Sequence, residues 1–391
     1  MLKCKISKNC GGCQLLDKTY EDTLNYKLNY VNECLKKEGI NYKINDIYRS
    51  VHDTEYRNKM IVSFKMVNGV IKAGFYEENS HKVIPMEHCI MHSENQNKIV
   101  NNFASLMKIF KLAPYNEDKK TGFIRYLLIK EAHKTKELMV VIVTSLDNFP
   151  GSKELCKKLV QNNPNIKSVI QNINSRKTSI VLGDKEKVLY GSPFIIDYLC
   201  GLKFQITSKS FFQVNPEQAE NLYNQVLSYA SLTGNEVVID AYSGIGTIGL
   251  YLSENAKEVI SVENNKQAHN SAIMNAKINN IKNTFFYNDD ATKFINELAK
   301  MKEHIDVIIM DPPRTGSTIE FINACIKLKP KKIVYVSCGP DTLARDLKCF
   351  YKGNYEIKKA SCFDMFCYTK HVETVALLER KNFNKKFKIN N

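Results

Sequence analysis

The second half of the chain alternates apolar runs with amphipathic ones, and no other feature limits the possible fold as strongly. The apolar runs are "EVVIDAY", "EVISVEN", "HIDVIIMDPP" and "KKIVYVSC", and "HVETVALLER" follows them. Nearly continuous apolar strands with helices between them are typical of a parallel sheet that is covered on both faces. We therefore predict a doubly wound α/β domain, whose ligands bind at the carboxyl ends of its strands.

The first half has a different pattern. Residues 14–40 carry apolar side chains near a 3.6-residue period, which predicts one helix that ends at Gly39. An α+β domain is predicted between residues 56 and 205 from short β-like runs: "KMIVSFKMV", "GVIKAGFY", "FIRYLLIKEA", "LMVVIVTSL", "SVIQNIN" and "SIVLG". In "SFFQVNPEQAENLY" a new helix begins, with Asn215 as its cap. These changes predict a first domain over 1–205 and a second over 206–391.

Length and charge indicate a two-domain protein that binds nucleic acid. A chain of 391 residues is long for one domain. Its formal charge of +15 favours a polyanionic partner, although a general bias towards lysine has the same sign. No apolar run approaches the roughly 20 residues that span a bilayer, and the N-terminus lacks the apolar segment of a secretory signal. We expect a cytoplasmic protein without a membrane partner.

A glycine-rich turn follows the first strand of the second half. In "VVIDAYSGIGTIGL" this turn carries Gly244 shortly after Asp240. Such a turn lets a ligand approach the backbone, and the motif alone leaves NAD, another nucleotide and S-adenosylmethionine open. A carboxylate beside the turn repels a pyrophosphate and favours a cationic or hydroxyl-bearing ligand. Glu263 ends the second strand, where an acid accepts ribose hydroxyls, and Asp289 and Asp290 follow the next segment.

Two later strands end in reactive side chains at the same edge. The segment "IIMDPPRTG" places Asp311 and Arg314 there, because its two prolines hold a stiff turn. Cys338 ends the next strand, and Glu373 enters the last one. A buried cysteine is usually inert packing, but a thiol beside a cation and a carboxylate also makes a nucleophile and base. These residues by themselves leave both interpretations of Cys338 open.

Four of the twelve cysteines stand apart by position, namely Cys4, Cys10, Cys13 and Cys89. A chain without a secretory leader is not expected to hold disulfides, because the cytosol keeps thiols reduced. Thiols at short spacing with a distant fourth are typical of a metal or iron–sulfur site. Spacing alone leaves zinc and an iron–sulfur cluster equally open.

The second half resembles the S-adenosylmethionine-dependent RNA uracil-C5 methyltransferase family in five ordered motifs: "SFFQVNP", "DAYSGIG", "DPPRTG", "VYVSCGPDTLARDL" and "DMFCYTKHVE". The resemblance implies a Rossmann-like methyltransferase domain in which a thiolate adds to uracil C6 before C5 is methylated. It implies that Cys338 is the nucleophile and that Glu373 is the base which removes the C5 proton. With the turn and the acids above, the predicted cofactor site comprises Gln213, Tyr242, Gly244, Glu263, Asp290 and Asp311.

The segments "NCGGCQL" and "YRNKM" resemble the branch of this family that acts on 23S ribosomal RNA and carries a [4Fe–4S] cluster. By this resemblance Cys4, Cys10, Cys13 and Cys89 hold the cluster, with zinc less favoured, and 23S ribosomal RNA is the expected partner of a monomer. Many relatives begin with an oligonucleotide-binding barrel, whereas this chain starts at the cluster cysteines and is expected to lack one. RNA contacts are therefore expected from the first domain, with candidates Tyr56, Arg57, Lys59, Lys65, Lys72 and Phe75.

Two positions depart from the pattern of this family. Gly339 stands where the family usually has Asn, and Cys367 stands where it usually has Pro. Neither change removes the nucleophile or the base. Three alternatives stay open: a tRNA-directed uracil-C5 methyltransferase, a non-catalytic RNA-binding or assembly factor of the same fold, and an exocyclic-amine methyltransferase suggested by "DPPR". The last of these needs no thiol, so the position of Cys338 argues against it.

Overall fold

The computed structural model describes residues 2–178 and 180–381. Within these ranges the helices are α1 (Tyr20–Lys37), α2 (Glu94–Ile109), α3 (Ser152–Asn162), α4 (Pro216–Ala230), α5 (Thr247–Leu252), α6 (Lys266–Ile278), α7 (Ala291–Met301), α8 (Ile319–Leu328) and α9 (Pro340–Lys352). The strands are β1 (Ile47–Tyr48), β2 (Lys59–Val67), β3 (Val70–Tyr76), β4 (Val83–Pro85), β5 (Ile124–Glu131), β6 (Leu138–Thr144), β7 (Ile166–Ile173), β8 (Lys185–Gly191), β9 (Phe194–Leu199), β10 (Leu202–Thr207), β11 (Val237–Ala241), β12 (Glu258–Val262), β13 (Thr284–Tyr287), β14 (Val307–Met310), β15 (Lys332–Ser337), β16 (Tyr355–Phe363) and β17 (Glu373–Arg380). None of these helices is both long and apolar enough to cross a membrane.

The chain divides into two compact units, each built from three segments. The first contains the chain up to Thr23, Ser50–Glu220 and Met365–Lys370, and the second contains Leu24–Arg49, Asn221–Asp364 and the chain from His371 onwards. This division differs from the single boundary near 205 that the sequence predicts. The reason is long-range pairing, since the early strand β1 pairs with β16 in the second unit, and local composition does not report such contacts.

The first unit is built around a seven-stranded sheet in the order β4-β3-β2-β5-β6-β7-β8. Neighbouring strands are antiparallel except β6 and β7, which run parallel and are joined through α3. Five of the predicted β-like runs are strands here, but "SIVLG" is not. Ser179 lies outside the described residues, and the backbone of the following residues is bound by the side chains of Asn172 and Asn174 instead of a strand partner.

Helix α1 is shorter than the sequence predicts. It begins at Tyr20 instead of residue 14, because Thr19 caps it: its Oγ1 accepts a 3.1 Å hydrogen bond from the backbone N–H of Asp22. The helix ends before Gly39, whose φ of +76° is a left-handed conformation that suits glycine. The predicted cap of α4 is present, since Asn215 Oδ1 accepts from the Gln218 N–H at 3.3 Å.

The second unit is built around an eight-stranded sheet in the order β1-β16-β17-β15-β14-β11-β12-β13. Its strands are parallel except β17, which runs antiparallel to both β15 and β16. Ile239, Ile308 and Ile333 are fully buried in the core of this sheet. The predicted doubly wound domain is thus confirmed, and the chain order reverses at β11, where such sheets bind ligands.

Candidate active site

Cys338 and Glu373 come together because β15 and β17 are antiparallel neighbours. Ser337, the last residue of β15, pairs with Thr374, the second residue of β17. Cys338 follows Ser337 and Glu373 precedes Thr374, so this register brings Cys338 and Glu373 to the same end of the sheet. Ser337 Oγ also bonds with the N–H and the carbonyl of Gly339, both at 3.2 Å, which fixes the turn that carries Cys338.

The thiol of Cys338 is half-buried and protonated at neutral pH. Burial, together with the carboxyl groups of Glu373 and Asp311, raises its pKa to about 11, while the backbone N–H of Cys338 and the guanidinium of Arg314 act in the opposite direction. A thiolate is far more nucleophilic than a thiol. Arg314 is therefore the cation that favours the reactive form of Cys338.

Two acids accompany the thiol. Glu373 is 4% exposed, and burial together with the nearby Asp311 carboxyl holds its pKa well above the usual range. Burial also raises the pKa of Asp311, which follows β14, to about 7. The site thus combines a thiol with acids that hold their protons near neutral pH, which suits proton transfer.

The glycine turn after β11 is strained at a residue other than glycine. Tyr242 has a φ of +66°, a left-handed conformation that bulky residues rarely adopt and that clusters at functional sites. Its hydroxyl lies 3.1 Å from Ser317 Oγ, and its ring packs against Phe321. The side chain of Tyr242 is therefore tied to the segment after Arg314, and its backbone forms the turn.

The predicted acid Glu263 already supports this turn. Its Oε2 accepts from the Gly244 N–H at 2.9 Å, and its Oε1 accepts from the Asn265 N–H. Asp290 caps α7, accepting from the Lys293 N–H at 3.0 Å, and is exposed. Both carboxylates lie at the carboxyl ends of strands, as predicted, but each also has a structural hydrogen bond.

Asp240 is buried beneath the turn, and burial raises its pKa to about 7. Its Oδ2 accepts from the Gly249 N–H, whereas its Oδ1 has no partner among the described residues. Ser243 in the turn and Ser261 on β12 also have buried hydroxyl groups. Neither hydroxyl has a hydrogen-bond partner within residues 2–178 and 180–381. Buried polar atoms of this kind are normally satisfied by a ligand or water, so the turn fits a polar ligand such as S-adenosylmethionine.

Gln213, the remaining predicted cofactor residue, belongs to the first unit. It is 7% exposed, and its carbonyl accepts from Asn58 Nδ2 at 2.9 Å. Its contact with a cofactor remains a prediction.

The two departures from the family pattern have local explanations. A Cβ on Gly339 would lie 2.7 Å from Thr342 Oγ1, so a side chain there requires Thr342 to move. Cys367 is fully buried in the first unit, in an apolar cluster that also contains Leu16, Tyr56 and Tyr368. Tyr56 is thus a packing residue rather than an exposed RNA contact.

The four N-terminal cysteines share a cavity of about 850 Å³ within the first unit: Cys4, Cys10, Cys13 and Cys89 all line it, together with Arg57 and Lys59. Burial, together with the neighbouring thiols of Cys89 and Cys10, raises the pKa of Cys13 to about 12. The chemistry of four thiols around one cavity suits zinc or an iron–sulfur cluster. However, no three His, Cys, Asp or Glu side chains within residues 2–178 and 180–381 are arranged as metal ligands.

The sequence suggests Arg345 as a cation near Cys338, but it does not predict the contacts by which Arg345 and Asp346 in α9 hold the segment after Arg314. Asp346 is 1% exposed and its Oδ2 accepts from the Ser317 N–H at 2.8 Å and from the Tyr335 hydroxyl at 2.7 Å. Arg345 Nη2 donates to the carbonyls of Thr315 and Ser317. The only signal in the sequence is an adjacent pair of opposite charges in a helix, which is common on protein surfaces.

Comparisons with known proteins agree with this architecture. Residues 19–381 match the family described as tRNA (Uracil-5-)-methyltransferase. The chain is 42% identical over 381 residues to an uncharacterized RNA methyltransferase of Clostridium acetobutylicum, which covers 96% of this chain and 83% of the relative. It is 39% identical over 386 residues to one of Halalkalibacterium halodurans, covering 97% of this chain and 83% of that protein.

A solved structure is similar over nearly the whole chain. It is a Pyrococcus abyssi tRNA (uracil-54, C5)-methyltransferase in complex with S-adenosyl-L-homocysteine, with a TM-score of 0.77 and 28% identity, covering 94% of this chain and 86% of that one. The family match over residues 19–381 spans the strands that carry Cys338 and Glu373 and the glycine turn after β11. The chain therefore belongs to the tRNA (uracil-5-)-methyltransferase family, whose members are S-adenosylmethionine-dependent RNA methyltransferases.

Proposed function

We propose that this protein methylates C5 of a uridine in 23S ribosomal RNA, with Cys338 as nucleophile and Glu373 as base. The observation that carries the proposal is the meeting of a thiol and a buried acid, set by the β15–β17 register, at the ligand-binding edge of the sheet. S-adenosylmethionine, when bound, supplies the methyl group on its sulfonium sulfur. The glycine turn, Asp240 and Glu263 are the residues proposed to hold it.

Uracil C5 is a weak nucleophile, and the first step makes it a stronger one. The Cys338 thiolate forms a bond to C6, and the electron pair of the C5–C6 double bond moves through C4 to O4, which leaves an enolate. Arg314 assists this step because its positive charge favours the thiolate. The target base has to be turned out of any stack or pair to reach the thiol.

The enolate then returns its electron pair through C5 to the methyl group, and the bond between that methyl group and the sulfonium sulfur breaks. The Glu373 carboxylate next removes the proton from C5. The electron pair of the C5–H bond re-forms the C5–C6 double bond and expels the Cys338 thiolate. The Cys338 thiol therefore loses its proton before the first step, and the Glu373 carboxyl group loses its proton before the last step.

The choice of ribosomal RNA is supported by the four cysteines that share one cavity. We propose that Cys4, Cys10, Cys13 and Cys89 hold a [4Fe–4S] cluster, outside the chemical steps. Anaerobically purified protein is then expected to contain iron and to absorb broadly in the visible range, and Cys13→Ser is expected to lose both. Cys156→Ser, at a buried core cysteine outside the cavity, is the control. Zinc in place of iron, or no metal at all, would contradict the cluster.

A tRNA substrate is the alternative that a specific observation favours. The Pyrococcus abyssi relative is named for uracil-54 of tRNA, and the family description also names tRNA. The deciding experiment incubates the protein with S-adenosylmethionine and either a 23S ribosomal RNA transcript or unmodified tRNA, and maps 5-methyluridine by mass spectrometry. We expect the product in ribosomal RNA alone and none with Cys338→Ser. Cys34→Ser, at a half-buried cysteine of α1, is the control and is expected to retain activity.

Each other outcome has a distinct meaning. Product in tRNA alone would overturn the substrate assignment and leave the chemistry intact. Full activity of Cys338→Ser would overturn the chemistry. Binding of either RNA without any methyl transfer would support the non-catalytic alternative.

A further inference from the structure

The segment between Asp311 and Ser317 carries Arg314, and its shape is set by contacts with α9. Arg345 Nη2 donates to the carbonyl oxygens of Thr315 at 3.0 Å and Ser317 at 3.2 Å. Asp346 accepts from the Ser317 N–H at 2.8 Å. Two neighbouring side chains thus bind both the carbonyls and an amide of one short loop.

The two side chains also bind each other and the sheet. Arg345 Nε donates to Asp346 Oδ1 at 2.8 Å, and the Tyr335 hydroxyl in β15 donates to Asp346 Oδ2 at 2.7 Å. Asp346 and Tyr335 are almost fully buried. A charge-assisted network with all its partners present is rigid, and it is strongly perturbed when one member is removed. We name Arg345 and Asp346 the loop bracket.

Gly316 fits against the loop bracket because it has no side chain. Its φ is +77°, and a Cβ there would lie 2.4 Å from Arg345 Nη2 and 2.8 Å from Asp346 Oδ2. Any larger residue at position 316 displaces the bracket or the loop. The glycine of "DPPRTG" is therefore explained by the close approach of α9 as well as by its left-handed backbone.

The loop held in this way brings Arg314 to the reacting residues. Arg314 Nη2 lies 3.2 Å from His371 Nδ1, two residues before Glu373. Its carbonyl accepts from Thr342 Oγ1 in α9 at 3.3 Å. Arg314 is the charged side chain that favours the ionised form of the Cys338 thiol, in addition to the backbone N–H of Cys338 itself.

We propose that Arg345 and Asp346 are positioning residues that hold Arg314 in place and thereby set the reactivity of Cys338. Neither residue acts on the substrate in this proposal. The inference rests on the proposed role of Cys338 as nucleophile. It adds two residues of α9 to those that set how readily the Cys338 thiol ionises. Both lie outside the loop and the two strands that carry the reacting groups.

The test measures the alkylation of Cys338 by iodoacetamide from pH 7 to about 12 in the full-length protein, followed by mass spectrometry of the peptide that contains Cys338. Arg345→Gln is expected to alkylate more slowly at pH 8 by about threefold or more, because a midpoint shift of half a pH unit lowers the thiolate fraction by that factor. Arg314→Met is expected to shift the midpoint in the same direction. The double variant is expected to shift it no further than Arg314→Met does.

Two more variants keep the test decisive. Gly316→Ala displaces the loop from the opposite side and is expected to slow Cys338 alkylation as well, even if Arg345→Gln folds poorly. Lys348→Gln, in the same helix and paired only at the surface with Glu38, is the matched control and is expected to alkylate like the wild type. Thermal unfolding midpoints measured in parallel separate a local effect from a loss of fold.

The proposal is overturned if Arg345→Gln and Gly316→Ala keep the wild-type alkylation profile while Arg314→Met shifts it, or if the double variant shows the sum of two independent shifts. Alkylation requires neither RNA nor S-adenosylmethionine. A wild-type protein that methylates no RNA would therefore overturn the proposed function while the alkylation profiles still decide the role of the loop bracket.

Discussion

Asp240 and Gly249 are bound so closely that no side chain fits between them. Asp240 Oδ2 accepts a 2.8 Å hydrogen bond from the Gly249 N–H, and a Cβ on Gly249 would lie 2.6 Å from the same oxygen and 2.8 Å from Ser261 Oγ. The carboxyl group of Asp240 thus sits directly under the first turn of α5. This contact joins the glycine turn to the buried polar atoms below it.

Gly249→Ala is therefore expected to destabilise the protein by about 1–3 kcal/mol, the usual cost of an extra methyl group in a packed interior. The sign is diagnostic, because glycine to alanine inside a helix otherwise stabilises by roughly 0.5–1 kcal/mol. Urea unfolding of both proteins measures the difference. A more stable Gly249→Ala protein would contradict this, because it would show that the space beside Asp240 accommodates a methyl group.

A buried ion pair anchors the end of β16. Lys27 Nζ donates to the Asp364 carboxylate, and both side chains are fully buried. Lys27→Met leaves that carboxylate without its buried cation and is expected to lower the free energy of unfolding by about 3–5 kcal/mol. Lys348→Ala breaks the exposed pair with Glu38 and is expected to cost no more than about 1 kcal/mol. Equal losses for the two variants would contradict this difference.

Stability is expected to depend on Asp311 between pH 4 and 7. Burial raises the pKa of Asp311 from 3.8 to about 7, so the folded protein holds a proton that the unfolded chain has already released in this range. The free energy of unfolding therefore falls as the pH rises from 4 to 7, and Asp311→Asn removes this part of the decrease. Glu320→Gln, at an exposed side chain, is the control. Identical pH dependence in Asp311→Asn and the wild type would refute the assignment.

Methyl transfer is expected to accelerate with pH. Burial raises the pKa of Cys338 to about 11 and holds that of Glu373 well above its usual range, and both groups act without their protons. Single-turnover rates at saturating RNA and S-adenosylmethionine are thus expected to rise from pH 7 towards 10, and Arg314→Met to require a higher pH for the same rate. A rate that falls over this range would contradict the proposed protonation states.

The sequence predicts much of the secondary structure, and it places the candidate site residues at the ends of strands, for reasons that are local. The apolar run "KMIVSFKMV" coincides with β2, and the runs before Asp240, Asp311 and Cys338 end at the same edge of one sheet. Parallel strands with helical connections leave few other arrangements. The nearness of Cys338 and Glu373 does not follow from these runs, because it depends on β17 being antiparallel to β15.

Other features depend on contacts between distant segments, which local patterns do not encode. The left-handed Tyr242 is ordinary in sequence, and its strain is held by the bond to Ser317. The loop bracket joins residues about 30 positions apart. The segment 24–49 belongs to the second unit through the β1–β16 pair, so the two compact units differ from a division at a single boundary near 205. The sequence predicts that the four cysteines Cys4, Cys10, Cys13 and Cys89 lie together, and they do line one cavity. Within the described residues, however, they are not arranged as metal ligands.

The most direct measurement traps the bond between Cys338 and the RNA. Glu373→Gln cannot remove the C5 proton, so after methyl transfer the base is expected to stay attached through C6. The variant is incubated with S-adenosylmethionine and the RNA that the wild type modifies, then digested and analysed by mass spectrometry. The account predicts a Cys338 peptide that carries a methylated uridine, absent when Cys338→Ser is added to Glu373→Gln. An unmodified Cys338 peptide, from an RNA that the wild type does methylate, would contradict it.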